Sequence, residues 1–300
     1  MSIKGVCPVL SVPFTSSGEV DYESFRSLVR WIIKIGTKST LFFGVASENI
    51  KLSDPERYKL LEILLTERQG SDLQVITTVA DHASELAVKR AKDYEAMGVD
   101  YINILPPTFF SPSADQINHH LESILSAVKV PVVIQHLPQA GGMADVSGLV
   151  ELAQRFENLA IVKCEANPPT ESIKTVTSLT NGRVRTLIGW GGIFWKEGIE
   201  AGTDGLQPGC GVTDLYLWAQ ESLTAGDQIE FERRINQFIP TIAKWIGNLE
   251  LLIAAEKDIL FQRGIIETNY CRNPTVKIDT QSAEEIKEML ALVNAVASRG

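Results

Sequence analysis

The chain has 300 residues, of which 44% are hydrophobic and 22% charged, and a formal net charge of -9. That size suits one large domain with a sizeable core, and the composition lies well away from disordered chains. The acidic balance supplies no basic stripe for phosphates, which argues against a nucleic-acid partner while leaving open an anionic small molecule held by one pocket cation.

The four cysteines (Cys7, Cys164, Cys210, Cys271) are scattered, with no CxxC pair and no metal-type spacing, so reduced thiols in a cytoplasmic protein are expected. The amino terminus reads as a first strand, not a signal peptide, and no apolar stretch approaches the roughly 18 residues of a spanning helix, so no membrane partner is expected.

In chain order, the first strand is expected over residues 6–14, although Pro8 and Pro13 interrupt it. A helix follows, with Phe25, Leu28, Val29, Ile32 and Ile33 on one stripe and Gly36 as its stop. A second strand over 39–45 leads to a helix that opens on a capping box, Ser53 to Glu56, with Pro55 in its first turn. Further strands are expected over 74–80, 101–107, 130–138, 159–166, 184–190 and 202–208. Their spacing of roughly 20–35 residues is about one βα repeat, and their consecutive apolar residues suit strands covered on both faces. After about residue 213 only helical patterns remain, including a capping box read at Ser282 to Glu285. The expected fold is therefore α/β: a (β/α)8 TIM barrel over residues 1–225 with a C-terminal helical extension over 226–300, and a doubly wound open sheet as the alternative.

Barrels of this kind place their chemistry at the C-terminal ends of the strands. The sharpest signal there is Leu159-Ala-Ile-Val-Lys163-Cys-Glu165. Residues i and i+2 share one face of a strand, so Lys163 and Glu165 should point the same way. Burial disfavours an ammonium and makes the neutral, nucleophilic amine accessible, while the adjacent carboxylate could shuttle protons. A plain ion pair at the barrel end is the other reading.

The fifth strand ends in Gln135 and His136, one of which should face inward, where such residues more often satisfy hydrogen bonds than catalyse. His82, His119 and His120 lack metal spacing, and a His pair on a helix is expected on a solvated face, so no metal is expected. The glycines of Gly189-Trp-Gly-Gly192 and Gly209-Cys-Gly211 follow the last two strands, where many barrels bind phosphate. They support a rival reading as a phosphosugar isomerase or aldolase.

The motifs together resemble the dihydrodipicolinate synthase and N-acetylneuraminate lyase superfamily over essentially the whole chain. They are Pro13-Phe with Gly18-x-Val-Asp21, the loop Gly44-Val-Ala-Ser-Glu48, the helix start Lys51-Leu-Ser-Asp-Pro-Glu-Arg57, Pro106-Pro-Thr-Phe-Phe, and Ile-Val-Lys163. The resemblance implies a barrel with a C-terminal helical extension, commonly a homotetramer, with Lys163 as the Schiff-base lysine and no dissociable cofactor. It assigns the substrate carboxylate to the loop holding Gly44, Ala46, Ser47 and Glu48. Here Val45 and Ala46 stand where hydroxyl residues are usual, Gln135 stands for the catalytic tyrosine, Ala140 for the synthase arginine and Phe109 for a phenol.

These departures are similar to the 2-keto-3-deoxy-pentonate (L-arabinonate) dehydratases, which share the Ser47-Glu48, Ile134-Gln135 and Lys163-Cys-Glu165 patterns. The implied function is a class I lyase dehydrating a 2-keto-3-deoxy sugar acid. In that reading Lys163 and Glu165 are the catalytic pair, Gln135 joins them by orienting the substrate or a water, and Trp190 and Gln207 shape the far side. An aldolase or pyruvate-condensing synthase, and a non-catalytic ligand-binding barrel, are the alternatives.

Overall fold

In the computed structural model, which describes residues 3–138 and 146–298, strands and helices alternate along the chain. They are β1 (Gly5–Val6), α1 (Tyr22–Lys34), β2 (Ser39–Phe42), α2 (Asp54–Glu67), β3 (Gln74–Val79), α3 (Ser84–Met97), β4 (Tyr101–Ile104), α4 (Ala114–Ala127), β5 (Val132–His136) and α5 (Ser147–Arg155). There follow β6 (Leu159–Cys164), α6 (Thr170–Leu179), β7 (Arg185–Ile188), α7 (Trp195–Ala201), β8 (Gly205–Leu206) and α8 (Thr213–Thr224). Four further helices end the chain: α9 (Gln228–Ile235), α10 (Ile239–Ile246), α11 (Leu249–Gln262) and α12 (Thr280–Ala297). The eight strands belong to one sheet in the order β1-β8-β7-β6-β5-β4-β3-β2. This is the (β/α)8 barrel class with the C-terminal helical extension that the strand spacing implied.

Two compact units divide the chain. One consists of Gln74–Gln207 with the first residues, and the other of Gly5–Leu73 with Pro208–Gly300. Within the first, β3 to β8 pair in parallel between sequential neighbours, which short βα connections require. Register aligns Gln135 with Lys163 and Lys163 with Leu187, so Gln135 and Lys163 stand side by side on one face. The covering helices bury narrow stripes, such as Ile117, Leu121, Ile124 and Leu125 of α4. The second unit buries Phe25, Leu28, Val29 and Ile32 of α1 as expected, leaves Ile33 half-buried, and caps the helix with Asp21, which accepts from the Ser24 amide. The Ser53–Glu56 capping box is formed.

Three local differences from the sequence reading have physical causes. The first strand is only two residues long, because Pro8 and Pro13 lack the N–H a ladder needs; beyond it only isolated pairings at Val9 and Phe14 occur. The last strand starts at Gly205, not Gly202, because Gly202 takes φ +92° to end α7. The cap of α12 is Asp279, which accepts from the Ser282 amide at 2.7 Å; Ser282 is therefore inside the helix, and Glu285 bonds instead to Lys244 and the Trp245 indole.

Candidate active site

The first unit gathers most of the expected catalytic residues on one strand face. Lys163 lies near the end of β6 and Glu165 one residue past it; both are about 6% exposed. The Glu165 amide donates to the His136 carbonyl at 2.9 Å, which continues the β5–β6 ladder and keeps Glu165 in strand geometry. Alternation then puts both charges on the same side, and Lys163 Nζ stands 3.5 Å from Glu165 Oε1.

Glu165 is held from two further directions. The Gln135 amide Nε2 donates to its Oε2, and the Trp190 backbone N–H faces Oε1 at 3.3 Å. The Trp190 indole also donates to the Glu165 carbonyl at 2.8 Å, and Trp190 itself adopts φ +51°, an unusual conformation for a bulky residue. Among the described residues, every polar contact to this carboxylate is thus a donor or a cation. A buried lysine with an anchored carboxylate beside it can form an iminium with a carbonyl and move a proton at the neighbouring carbon.

Gln135 is itself held by Asn103, whose Nδ2 lies 3.4 Å from Gln135 Oε1 and 3.2 Å from Thr78 Oγ1. The sequence reading missed Asn103 and Thr78. The available signal was a lone amide inside the apolar run Tyr101-Ile-Asn103-Ile104. Gln207 is buried just past the end of β8, its backbone N–H donating to the Ile188 carbonyl at 2.7 Å. Cys164, between the two charged residues, is fully buried, and desolvation pushes its thiol well above the ordinary range, so it packs as an apolar residue.

The loop at residues 44–48 belongs to the second unit. A short 3-10 turn covers Val45–Ser47, with Ala46 and Ser47 buried and Val45 outward. The Ser47 hydroxyl donates to the Leu10 carbonyl at 2.6 Å, and the Ser47 and Glu48 amides donate to the Gly44 and Val45 carbonyls at 3.1 and 3.0 Å. Glu48 takes φ +50° and is enclosed: Lys257 Nζ bonds its Oε1, Lys51 Nζ lies 3.1 Å and the Arg272 amide 3.2 Å from its Oε2. Glu48 therefore anchors the loop's backbone. Lys257, with no exposed surface, was invisible in the sequence because a Glu-Lys pair on a helix ordinarily reads as solvated.

Other expectations resolve individually. Gly189 and Gly209 both abut carboxylates: a Cβ on Gly189 would fall 1.7 Å from Glu165 Oε1, and one on Gly209 would fall 2.0 Å from Glu256 Oε2. Facing buried acids, these turns disfavour a phosphate, which counts against the phosphosugar reading. His120 is buried rather than solvated, with Nδ1 3.0 Å from the Ser84 hydroxyl, and burial lowers its pKa. Phe109 and Phe110 are exposed and pack edge to face at 5.2 Å. None of the four cysteines is bridged. Among the described residues no group of three His, Cys, Asp or Glu side chains could hold a metal ion, and no helix is long and apolar enough to cross a membrane. Ala140 and its neighbours to Gly142 lie outside the described residues.

With this geometry in place, comparison with known proteins is decisive at the family level. Residues 2–293 match the dihydrodipicolinate synthetase family. The chain belongs to that family, whose members are lyase- and aldolase-type enzymes. A 4-hydroxy-tetrahydrodipicolinate synthase from Pelodictyon phaeoclathratiforme is 28% identical over 289 residues, covering 93% of this chain and 94% of the relative. The L-2-keto-3-deoxyarabonate dehydratase of Azospirillum brasilense is 23% identical over 290 residues, covering 94% and 92%. With two other 4-hydroxy-tetrahydrodipicolinate synthases the match spans about half of each relative's length, 55% and 54%. In fold, a dihydrodipicolinate synthase from Rhodopseudomonas palustris superposes with a TM-score of 0.88 at 20% identity, covering 96% of this chain and 97% of that one.

Proposed function

We propose that this family member is a class I lyase that dehydrates a 2-keto-3-deoxy sugar acid through a Schiff base on Lys163. One observation carries the reading: a buried lysine and a buried carboxylate lie 3.5 Å apart on one strand face, and the carboxylate is fixed by a carboxamide and a backbone amide. The similarity to a keto-deoxyarabonate dehydratase supports the same direction.

In this mechanism the Lys163 amine adds to C2 of the keto acid and water leaves, giving an iminium. Its positive nitrogen is an electron sink. Glu165 takes the C3 proton, the C3–H electrons form the C2–C3 double bond, and the C=N bond collapses to an enamine. The enamine then expels the C4 hydroxyl, which takes a proton and departs as water. Hydrolysis of the remaining iminium frees the unsaturated product and the lysine. Gln135 has no proton to release near neutrality, so its part is to hold Glu165.

The test is borohydride reduction with pyruvate and with a 2-keto-3-deoxy-pentonate, followed by peptide mass mapping and by product analysis without reductant. A reduced adduct on Lys163 together with loss of water from the pentonate is expected. Cleavage to pyruvate instead of water loss would replace the dehydratase with an aldolase, and absence of any adduct would end the Schiff-base reading. Glu165→Gln should retain the adduct and lose turnover by about 100-fold or more, the scale of a general base.

A further inference from the structure

The face that carries Lys163 extends into a chain of polar side chains that the proposed chemistry leaves without a role. Asn103 sits in the middle of β4 between Ile102 and Ile104 and has no exposed surface. Register places it beside Thr78 on β3 and Val133 on β5, with Gln135 two residues further along β5. Its single Nδ2 group reaches both Thr78 Oγ1 and Gln135 Oε1, and an amide nitrogen carries the two hydrogens that this requires.

The direction of this chain is dictated by its end. As the C3 base of the proposed reaction Glu165 must accept, and Gln135 turns Nε2 toward it. Its Oε1 then faces Asn103, which must answer with its own nitrogen. That leaves Asn103 Oδ1 buried without a partner among the described residues, which is the cost of aiming both hydrogens outward. Without a donor at this position, the Gln135 carboxamide loses what distinguishes its two ends. Turned by half a rotation, it would set oxygen against the oxygen of Glu165.

We propose that Asn103 is a positioning residue that fixes the sense of the Gln135 carboxamide and, through it, the placement of Glu165 as the C3 base. The inference rests on the Lys163–Glu165 reading above and concerns only the proton-transfer step, since Asn103 contacts neither Lys163 nor Glu165 in the bonds described.

Two substitutions in the full chain separate this role from simple packing. Asn103→Leu removes the donor, whereas Asn103→Asp keeps the shape and replaces the donor with an acceptor that draws the Gln135 hydrogens away from Glu165. Each variant is scored for borohydride trapping of pyruvate and 2-keto-3-deoxy-pentonate on Lys163, and by NMR for exchange of the C3 hydrogens with D2O. Thermal unfolding verifies that each is folded at the assay temperature.

Trapping and KM are expected to stay near wild type. Exchange at saturating keto acid should fall about tenfold in Asn103→Leu, the scale of one hydrogen bond. It should fall further in Asn103→Asp at about pH 8, above the ordinary aspartate range. A packing role would give the reverse order, with the isosteric variant nearer wild type. That order, or exchange within twofold of wild type in both variants, overturns the proposal while leaving the Lys163 reading intact. Failure of the wild type to trap either keto acid removes the Lys163 reading and this inference with it. If the leucine variant does not fold, trapping without exchange in the aspartate variant supports the proposal, and normal exchange there overturns it.

Discussion

Gly189→Ala is the substitution whose consequence follows most directly from geometry. The added methyl would lie 1.7 Å from Glu165 Oε1, 2.3 Å from Cδ and 2.6 Å from Cγ, so it would occupy the carboxylate's own position. Restoring ordinary contact requires the carboxylate to retreat by roughly 1.5 Å. A free surface glutamate would simply rotate away. This one is buried and held by Gln135 and by the Trp190 amide, so retreat breaks at least the 3.3 Å bond to Trp190 and the 3.5 Å approach to Lys163. A displacement of about 1 Å at a catalytic group costs on the order of 100-fold in rate, so C3-hydrogen exchange or turnover should fall by about that factor. Overpacking should cost the fold about 1–3 kcal/mol, leaving it folded. Borohydride trapping on Lys163 should persist, because iminium formation does not need the base. The decisive comparison is a double-mutant cycle with Glu165→Gln: the alanine should add little once the carboxylate is already disabled. Wild-type turnover in Gly189→Ala, or fully additive losses in the cycle, would refute the argument that this glycine exists to admit Glu165.

Two further predictions concern buried charge in the second unit. Burial raises the Glu256 carboxyl from 4.5 to about 7 against the opposing amides of Gly211 and Cys210, so the native state keeps a proton that the unfolded chain releases. Wild-type stability should therefore fall as pH rises from about 4.5 to 7, by roughly 3 kcal/mol in total. Glu256→Gln should show no such slope; a thermal-stability difference between the two proteins that does not change with pH across this window would contradict it. Lys257→Met strands Glu48 without its buried counter-charge and should cost about 3–5 kcal/mol in urea unfolding, with Glu48→Leu in the same chain recovering much of it. A loss under about 1 kcal/mol would mean that Lys51 and the Arg272 amide suffice for Glu48.

The barrel was legible because its signal is repetitive: each βα unit buries an apolar strand under an amphipathic helix, and prolines and glycines punctuate them. The errors fell where one residue overrides the run around it, as Pro8 and Pro13 do in β1 and Gly202 does before β8. Alternation along β6 was enough to pair Lys163 with Glu165, since two residues on one strand need no knowledge of the rest of the fold. What holds that pair was less legible. Asn103 and Thr78 come from other strands, and only register brings them into line with Gln135. The loop residue Glu48 looked like a substrate contact in sequence, yet in the structure it meets Lys257, which lies 209 positions away in a helix. Charges that neutralise each other across such separations leave no local pattern to read.

The replacement of a phenol by a carboxamide at Gln135 constrains the proposed chemistry more than it weakens it. A phenol can pass a proton along; a carboxamide near neutrality can only orient what it touches. Phe109, standing where the resemblance expects a second phenol, is exposed and carries no proton either. Among the described groups bonded to Glu165, only Lys163 also ionises, and the iminium consumes its nucleophilic nitrogen. The C3 proton that Glu165 accepts is then the nearest one available to the departing C4 hydroxyl. If one carboxylate both takes and returns that proton, C3–H and C4–O must break on the same face of the substrate. Stereospecific C3 deuteration of the 2-keto-3-deoxy-pentonate reads this out: syn loss is expected, and anti loss would require a second acid that the Lys163 face does not contain among its described contacts.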